Sequence, residues 1–110
     1  MRTTNPSERQ AIRQIVQRIV SQFHPDRIIL FGSHARGDAG PDSDVDLLVV
    51  MPVEGSRREK AVEIGVALHD IRIPKDILVT TPEAFESRKM IVGTIEWPAD
   101  RHGKVLYARK

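Results

Sequence analysis

The chain has 110 residues, 17 of them basic and 15 acidic, a formal net charge of +2 and no cysteine. Its length suits one domain over residues 1–110 with a single hydrophobic core, and the lack of cysteine excludes disulfides and thiolate metal sites. Its apolar runs are too short to span a bilayer and its N-terminal residues lack a signal-peptide core, so we expect a cytoplasmic protein with no membrane partner.

The first predicted element is a helix that begins near residue 5. Asn5 suits the cap position, Pro6 the first helical position and Glu8 the acidic position of a capping box. The apolar residues that follow keep helical spacing and define one buried face. They are Ile12, Ile15, Val16, Ile19, Val20 and Phe23. Residues 24–26 (HPD) end this helix.

Two predicted strands follow. Residues 27–31 read as a short buried strand and residues 44–51 as a second one, whose continuous apolar run indicates that both of its faces are covered. The turn after Ser33 is predicted to be helical through Ala35. A capping box over residues 56–59 then opens a helix that we expect to reach about Ile71.

The second half continues with a third strand over residues 75–80 (KDILVT), and a helix capped by Thr81 that runs to about Met90. Trp97 and Pro98 interrupt the pattern, and residues 104–107 are compatible with a small final strand. This order predicts an α/β (α+β) fold, in which helices pack mainly on one side of a small mixed β-sheet.

Two carboxylates stand one residue apart at the start of the second strand. Because strand side chains alternate between faces, Asp44 and Asp46 point the same way while Val45 points into the core. Carboxylates about 7 Å apart repel each other unless a cation lies between them. Mg²⁺ takes one or two carboxylates and leaves other positions to water and phosphates. The pair therefore predicts a site for Mg²⁺, with two ions expected.

Three further features strengthen this prediction. Asp76 opens an otherwise apolar strand, and a neighbouring strand would bring it beside the pair as metal ligand and proton acceptor. Gly32 allows close approach of the backbone to a ligand, and Ser33 begins a turn suited to phosphate. Arg36 is placed to contact a triphosphate or a partner.

Each feature also has a structural interpretation. A Gly-Ser pair after a strand is usually a turn, Asp44 suits a loop cap, and Asp76 and Arg36 suit solvated surface positions. His34 is expected to be solvated. The tightest basic clusters, residues 57–58 and 101–104, do not alternate with aromatic residues, so we expect no direct nucleic-acid binding. A functional site is favoured because all of these features occur together and in this order along the chain.

The stretch GSHARGDAGPDSDVD resembles the Gly-Ser-x10-Asp-x-Asp signature of the nucleotidyltransferase superfamily that includes polymerase-beta-like enzymes. Given its length, the chain is most similar to the minimal nucleotidyltransferase (MNT) proteins, many of which are antitoxins paired with HEPN-domain ribonucleases. The resemblance implies that Gly32 and Ser33 bind the triphosphate of ATP. It also implies that Asp44, Asp46 and Asp76 are the catalytic and metal-binding residues.

The resemblance further implies transfer of AMP from ATP to a tyrosine of a cognate HEPN toxin, which is thereby neutralised. Larger relatives hold a small acceptor in an added domain, which this chain is too short to include, so we expect a protein acceptor. Two alternatives remain open. One is an antitoxin that acts only by binding its toxin, and the other is a subunit that modifies small molecules of the aminoglycoside type.

Overall fold

The computed structural model describes residues 6–40 and 42–110. The predicted cap Asn5 lies outside these residues. The helices and strands are α1 (Pro6–Phe23), β1 (Arg27–Phe31), α2 (Ser33–Arg36), β2 (Val45–Val50), α3 (Arg57–Ala67), β3 (Lys75–Thr80), α4 (Pro82–Arg88), α5 (Glu96–His102) and β4 (Lys104–Ala108). No helix in the described ranges is long and apolar enough to cross a membrane.

The strands form one mixed sheet in the order β3-β2-β1-β4. β1 is antiparallel to both β2 and β4, whereas β2 and β3 are parallel. A parallel pair needs a crossover connection, which α3 supplies here. Because β1 enters the sheet in the opposite direction, its carboxyl end lies at the same sheet edge as the amino ends of β2 and β3.

The longest helices, α1 and α3, cover one face of the sheet, as the alternation of side chains requires. Their buried residues pack on Ile28 and Leu30 of β1 and on alternate residues of β2. The main contributors from the helices are Ile12, Ile15, Ile19 and Ile64. This face holds most of the apolar core.

The short helices α4 and α5 cover part of the opposite face. Phe85 of α4 and Ala99 of α5 pack on Ile29, Leu48 and Val50. The apolar run of β2 is thus buried on both faces, as its sequence predicts. The end of this second face where β2 and β3 begin carries acidic side chains instead of apolar ones.

Several boundaries differ from the sequence expectations. α2 ends at Arg36, one residue beyond Ala35, and α4 ends at Arg88, before Met90. β2 begins at Val45 and ends at Val50, one residue inside the predicted strand at each end. α3 ends at Ala67, before Ile71, because the N–H groups of Leu68 and His69 donate to carbonyls three residues back and tighten the chain into turns.

A further difference is α5, which was not predicted. The sequence predicts an interruption at Trp97 and Pro98, but Pro98 occupies the first turn of α5. N–H groups of a first turn have no intrahelical acceptor, so proline removes no helical hydrogen bond there. The final strand β4 extends one residue beyond its expected end.

Candidate active site

Gly32 connects β1 directly to α2. Its backbone angles, φ 75° and ψ −155°, lie in a region that only glycine occupies readily. Its carbonyl accepts hydrogen bonds from the N–H groups of Ala35 and Arg36, both at 3.1 Å. Ser33 is therefore the first residue of α2, where N–H groups have no intrahelical acceptor.

Asp46 lies against Gly32. The antiparallel register pairs Asp46 with Phe31, the residue just before the glycine. A Cβ atom built on Gly32 would overlap Oδ2 of Asp46, so a residue with a side chain does not fit there without moving the carboxylate. Glycine thus serves two purposes: it permits the backbone turn and it leaves space for the aspartate.

Asp76 lies directly opposite Asp46 on the neighbouring parallel strand. Cross-strand partners project to the same face of a sheet, and neighbouring strands are about 4.8 Å apart. Asp44 precedes β2 and is separated from Asp46 by Val45, which is buried. Asp44 and Asp76 are exposed and Asp46 is half-buried. The fold therefore brings the predicted carboxylates together at the end of the sheet where β2 and β3 begin, beside Gly32 and Ser33.

The electrostatics reflect this crowding. Burial raises the pKa of Asp46 above its ordinary value, and the negative charges of Asp76 and Asp44 raise this pKa further. His34 and Arg36 act in the opposite direction. The pKa of Asp46 thus depends on both neighbouring carboxylates and on both basic side chains of the site.

His34 is buried, so the expectation of a solvated histidine is wrong. α2 turns His34 and Ala35 inward together. Nε2 of His34 lies 3.2 Å from the carbonyl oxygen of Ser43, and since a carbonyl only accepts, Nε2 is the donor. Nδ1 is buried without a partner among the described residues. His34 therefore ties α2 to the residue that precedes Asp44. The apolar neighbour Ala35 was a weak signal of this burial.

Arg36 is exposed at the end of α2. Its Nε donates to Oδ2 of Asp38 at 3.3 Å, within the loop that follows. The same loop is closed by Ser43, whose hydroxyl accepts a hydrogen bond from the N–H of Gly40 at 2.9 Å. Sequence reasoning did not single out Ser43, although its carbonyl and hydroxyl both hold the loop that leads to Asp44.

The donor chemistry suits Mg²⁺. Among residues 6–40 and 42–110, no group of three or more histidine or acidic side chains is arranged closely enough to hold a metal ion. Mg²⁺ needs only one or two carboxylates, however, and Asp46 and Asp76 face each other across adjacent strands. Their mutual repulsion is what a cation would relieve.

Comparisons with known sequences identify relatives. A family model described as the nucleotidyltransferase domain matches residues 10–98. One candidate protein adenylyltransferase from Methanocaldococcus jannaschii is 42% identical over 55 residues, which cover 50% of this chain and 54%, about half, of that protein. A second from the same organism is 42% identical over 112 residues, covering 92% of this chain and 99% of that protein.

Solved structures share the fold. A candidate nucleotidyltransferase from Sulfolobus solfataricus has a TM-score of 0.57 at 20% identity, covering 99% of this chain and 93% of that one. A mutant MntA–HpeT toxin-antitoxin structure has a TM-score of 0.54 at 17% identity, and the match covers 89% of this chain and 73% of that one. A toxin-antitoxin structure with AMP-PNP has a TM-score of 0.52 at 20% identity, and the match covers 92% of this chain and 73% of that one.

Proposed function

Because this chain belongs to the nucleotidyltransferase domain family, we propose that it transfers AMP from ATP to a tyrosine hydroxyl of a partner protein. The observation that carries this proposal is the register of β2 and β3, which sets Asp46 opposite Asp76 beside the Gly32–Ser33 turn. The relative that matches nearly its whole length is named as a candidate protein adenylyltransferase, which supports a protein as the acceptor.

Each site residue has a role in this proposal. The first turn of α2, with Gly32 and Ser33, binds the triphosphate, and Arg36 adds a cationic contact. The carboxylates of Asp44, Asp46 and Asp76 hold two Mg²⁺ ions. When bound, Mg²⁺ neutralises the phosphate charge that opposes attack by the acceptor.

In the proposed reaction the hydroxyl oxygen of the acceptor forms a bond to the α-phosphorus of ATP. The bond between that phosphorus and the oxygen bridging to the β-phosphate breaks, and pyrophosphate leaves. Asp76 takes the hydroxyl proton, since it is exposed at the edge where the acceptor would approach. Correct positioning of the two reactants is the main contribution of the protein.

The partner in this proposal is a HEPN-type toxin, and the chain is its cytoplasmic antitoxin. Support comes from the fold shared with an MntA–HpeT toxin-antitoxin structure and with a toxin-antitoxin structure that contains the ATP analogue AMP-PNP. Attachment of AMP to the toxin would neutralise it.

Label transfer tests the proposal. The purified chain is incubated with Mg²⁺, ATP labelled at the α-phosphate, and the product of the adjacent gene as the candidate acceptor protein. We expect label on a tyrosine of that protein. The Asp44→Asn/Asp46→Asn double variant should lower the rate by about 100-fold or more, because it removes ligand charge from the site.

Glu54→Gln is the matched control, since Glu54 is exposed and follows the carboxyl end of β2, whereas Asp46 lies at its amino end. It should label the partner at about the parent rate. Undiminished transfer by the double variant would refute the roles of the carboxylates. If the double variant still protects cells from the toxin, the chain neutralises by binding alone. Modification of an aminoglycoside without any protein partner would favour a small-molecule enzyme instead.

A further inference from the structure

A cavity of about 860 Å³ lies along the outer edge of β3. β3 is the terminal strand of the sheet as described, so no strand covers that edge. One wall of the cavity is α3, and the other is the segment at residues 93–96 that leads into α5. We call this feature the β3 groove.

The floor of the β3 groove is an unpaired strand edge. The N–H of Val45 donates to the carbonyl of Pro74 at 2.9 Å, and that of Met51 to the carbonyl of Thr80 at 3.0 Å. Alternate residues of a strand direct their backbone groups to opposite sides, so the N–H and C=O groups of Ile77 and Val79 face the groove. Such an edge is a template for an added strand.

The walls add apolar surface. Val62 on α3 is 60% exposed and Ile95 is 37% exposed, and both line the groove. β3 has six residues, which span about 20 Å at the strand rise per residue. An extended segment of similar length would therefore find apolar contacts along the groove.

The groove is positively charged. Arg57, Arg58 and Arg88 line it, and none of them takes part in the ion pairs found among residues 6–40 and 42–110. The acidic residue that lines it is Glu96, which is buried and accepts a hydrogen bond from Thr80 at 2.7 Å. The exposed cations on the rim thus remain available to an acidic ligand.

We propose that the β3 groove binds an extended segment of the acceptor protein, in which acidic and apolar residues alternate, and that this segment pairs with β3 as an additional strand. This inference rests on the proposed function for the identity of the acceptor. Asp76 is the second residue of β3. A segment bound along this strand therefore has one end close to the carboxylates. Docking there would hold the acceptor near the site.

A peptide test examines the groove alone. A fluorescent octapeptide of alternating glutamate and valine is titrated with the full chain at low salt and its anisotropy is followed. Two matched probes accompany it: one with lysine in place of glutamate, and one with alternate backbone amides N-methylated. We expect only the unmodified acidic peptide to bind, and binding to weaken as salt rises. Equal binding of the lysine or N-methylated probe overturns the proposal.

Variants of the chain locate the binding. Arg58→Glu/Arg88→Glu reverses two exposed rim charges and should weaken acidic-peptide binding by about tenfold or more. Val62→Asp places a negative charge in the groove and should act in the same direction. Arg13→Glu, an exposed change on α1, should leave affinity within about twofold. Undiminished binding by the groove variants overturns the proposal. A dimer in sedimentation that Val62→Asp dissociates would make the groove a self-association surface and overturn it as well.

The same variants then enter the label-transfer assay. Arg58→Glu/Arg88→Glu should raise the KM for the acceptor protein by about tenfold and leave the KM for ATP unchanged, since the groove does not include the Gly32–Ser33 turn. Labelling by the parent chain with no effect of these variants refutes the groove and leaves the proposed function intact. Absence of labelling by the parent chain refutes the proposed function, while peptide binding still reports on the groove.

Discussion

At the scale of single residues, Asp46 is the position where packing and charge conflict. It is half-buried against Gly32, faces Asp76 across the sheet and follows Asp44 by two residues. A carboxylate in such surroundings is destabilised in its charged form. This unfavourable charge lies at the end of the sheet where β2 and β3 begin, which bears no apolar core. Carboxylates perturbed in this way are typical of functional sites.

This conflict has a measurable dependence on pH. The pKa of Asp46 is raised above 3.8 in the folded chain, so its contribution to stability is full below 3.8 and is lost as pH rises through the raised value. We expect Asp46→Asn to melt at a higher temperature than the parent at pH 7 in EDTA. The difference should vanish when the pH falls below 3.8.

Thermal unfolding followed by circular dichroism at several pH values measures this difference. Asp100→Asn serves as the control for loss of one negative charge, because Asp100 is exposed on α5. An Asp46→Asn variant that melts below the parent at neutral pH would contradict the predicted repulsion.

At the scale of elements, the connection from β1 to α2 decides the shape of the site. A single residue separates the strand from the helix, and the loop that follows returns through Ser43 to Asp44. His34 holds the two parts together by its contact with the Ser43 carbonyl. The Gly32–Ser33 turn and the segment that leads to Asp44 are thus parts of one connected unit.

Gly32→Ala tests this connection. Gly32 has φ 75° and ψ −155°, and an added Cβ would meet the Asp46 carboxylate. We expect a loss of about 1–3 kcal/mol from backbone strain, with the steric overlap adding to it. Gly37→Ala is the matched control: its φ is also positive, at 83°, but a Cβ there meets nothing within 4 Å.

For Gly37→Ala we expect a loss of about 1 kcal/mol from the left-handed conformation alone. Urea unfolding of the two variants beside the parent measures both free energies. Equal losses for the two variants would mean that the Asp46 carboxylate moves aside without penalty.

At the scale of the whole molecule, the sheet is packed on both faces but unequally. α1 and α3 cover one face with most of the core, whereas α4 and α5 cover the other through Phe85 and Ala99. On the second face, α4 and α5 do not cover the end of the sheet that carries the carboxylates. The edge of β3 is also open between α3 and the segment leading into α5.

Phe85→Ala tests the smaller cluster. Phe85 is 1% exposed and packs on the sheet through Ile29 and Leu48. Removal of a buried phenyl ring should lower the free energy of unfolding by about 3–5 kcal/mol. Val92→Ala, at a residue that is 75% exposed, should change it by less than about 0.5 kcal/mol. Chemical denaturation measures both, and a small effect of Phe85→Ala would show that α4 contributes little to the fold.

The sequence by itself determined the features that depend on local chemistry. Alternation of side chains predicted that Asp44 and Asp46 point to one side of a strand, and a continuous apolar run predicted that both faces of β2 are covered. These follow from near neighbours in the chain. The Gly-Ser and Asp-x-Asp spacing also led to the nucleotidyltransferase family, which the family match to residues 10–98 confirmed.

Only the tertiary structure decided how distant parts meet. The parallel register that sets Asp76 opposite Asp46, the burial of His34 by the loop that returns through Ser43, and the open edge of β3 all depend on strand pairing. Pairing is a contact between segments far apart in sequence, and a shift by one residue would turn Asp76 to the other face. Local patterns carry no information on that choice, because the packing of both sheet faces selects it.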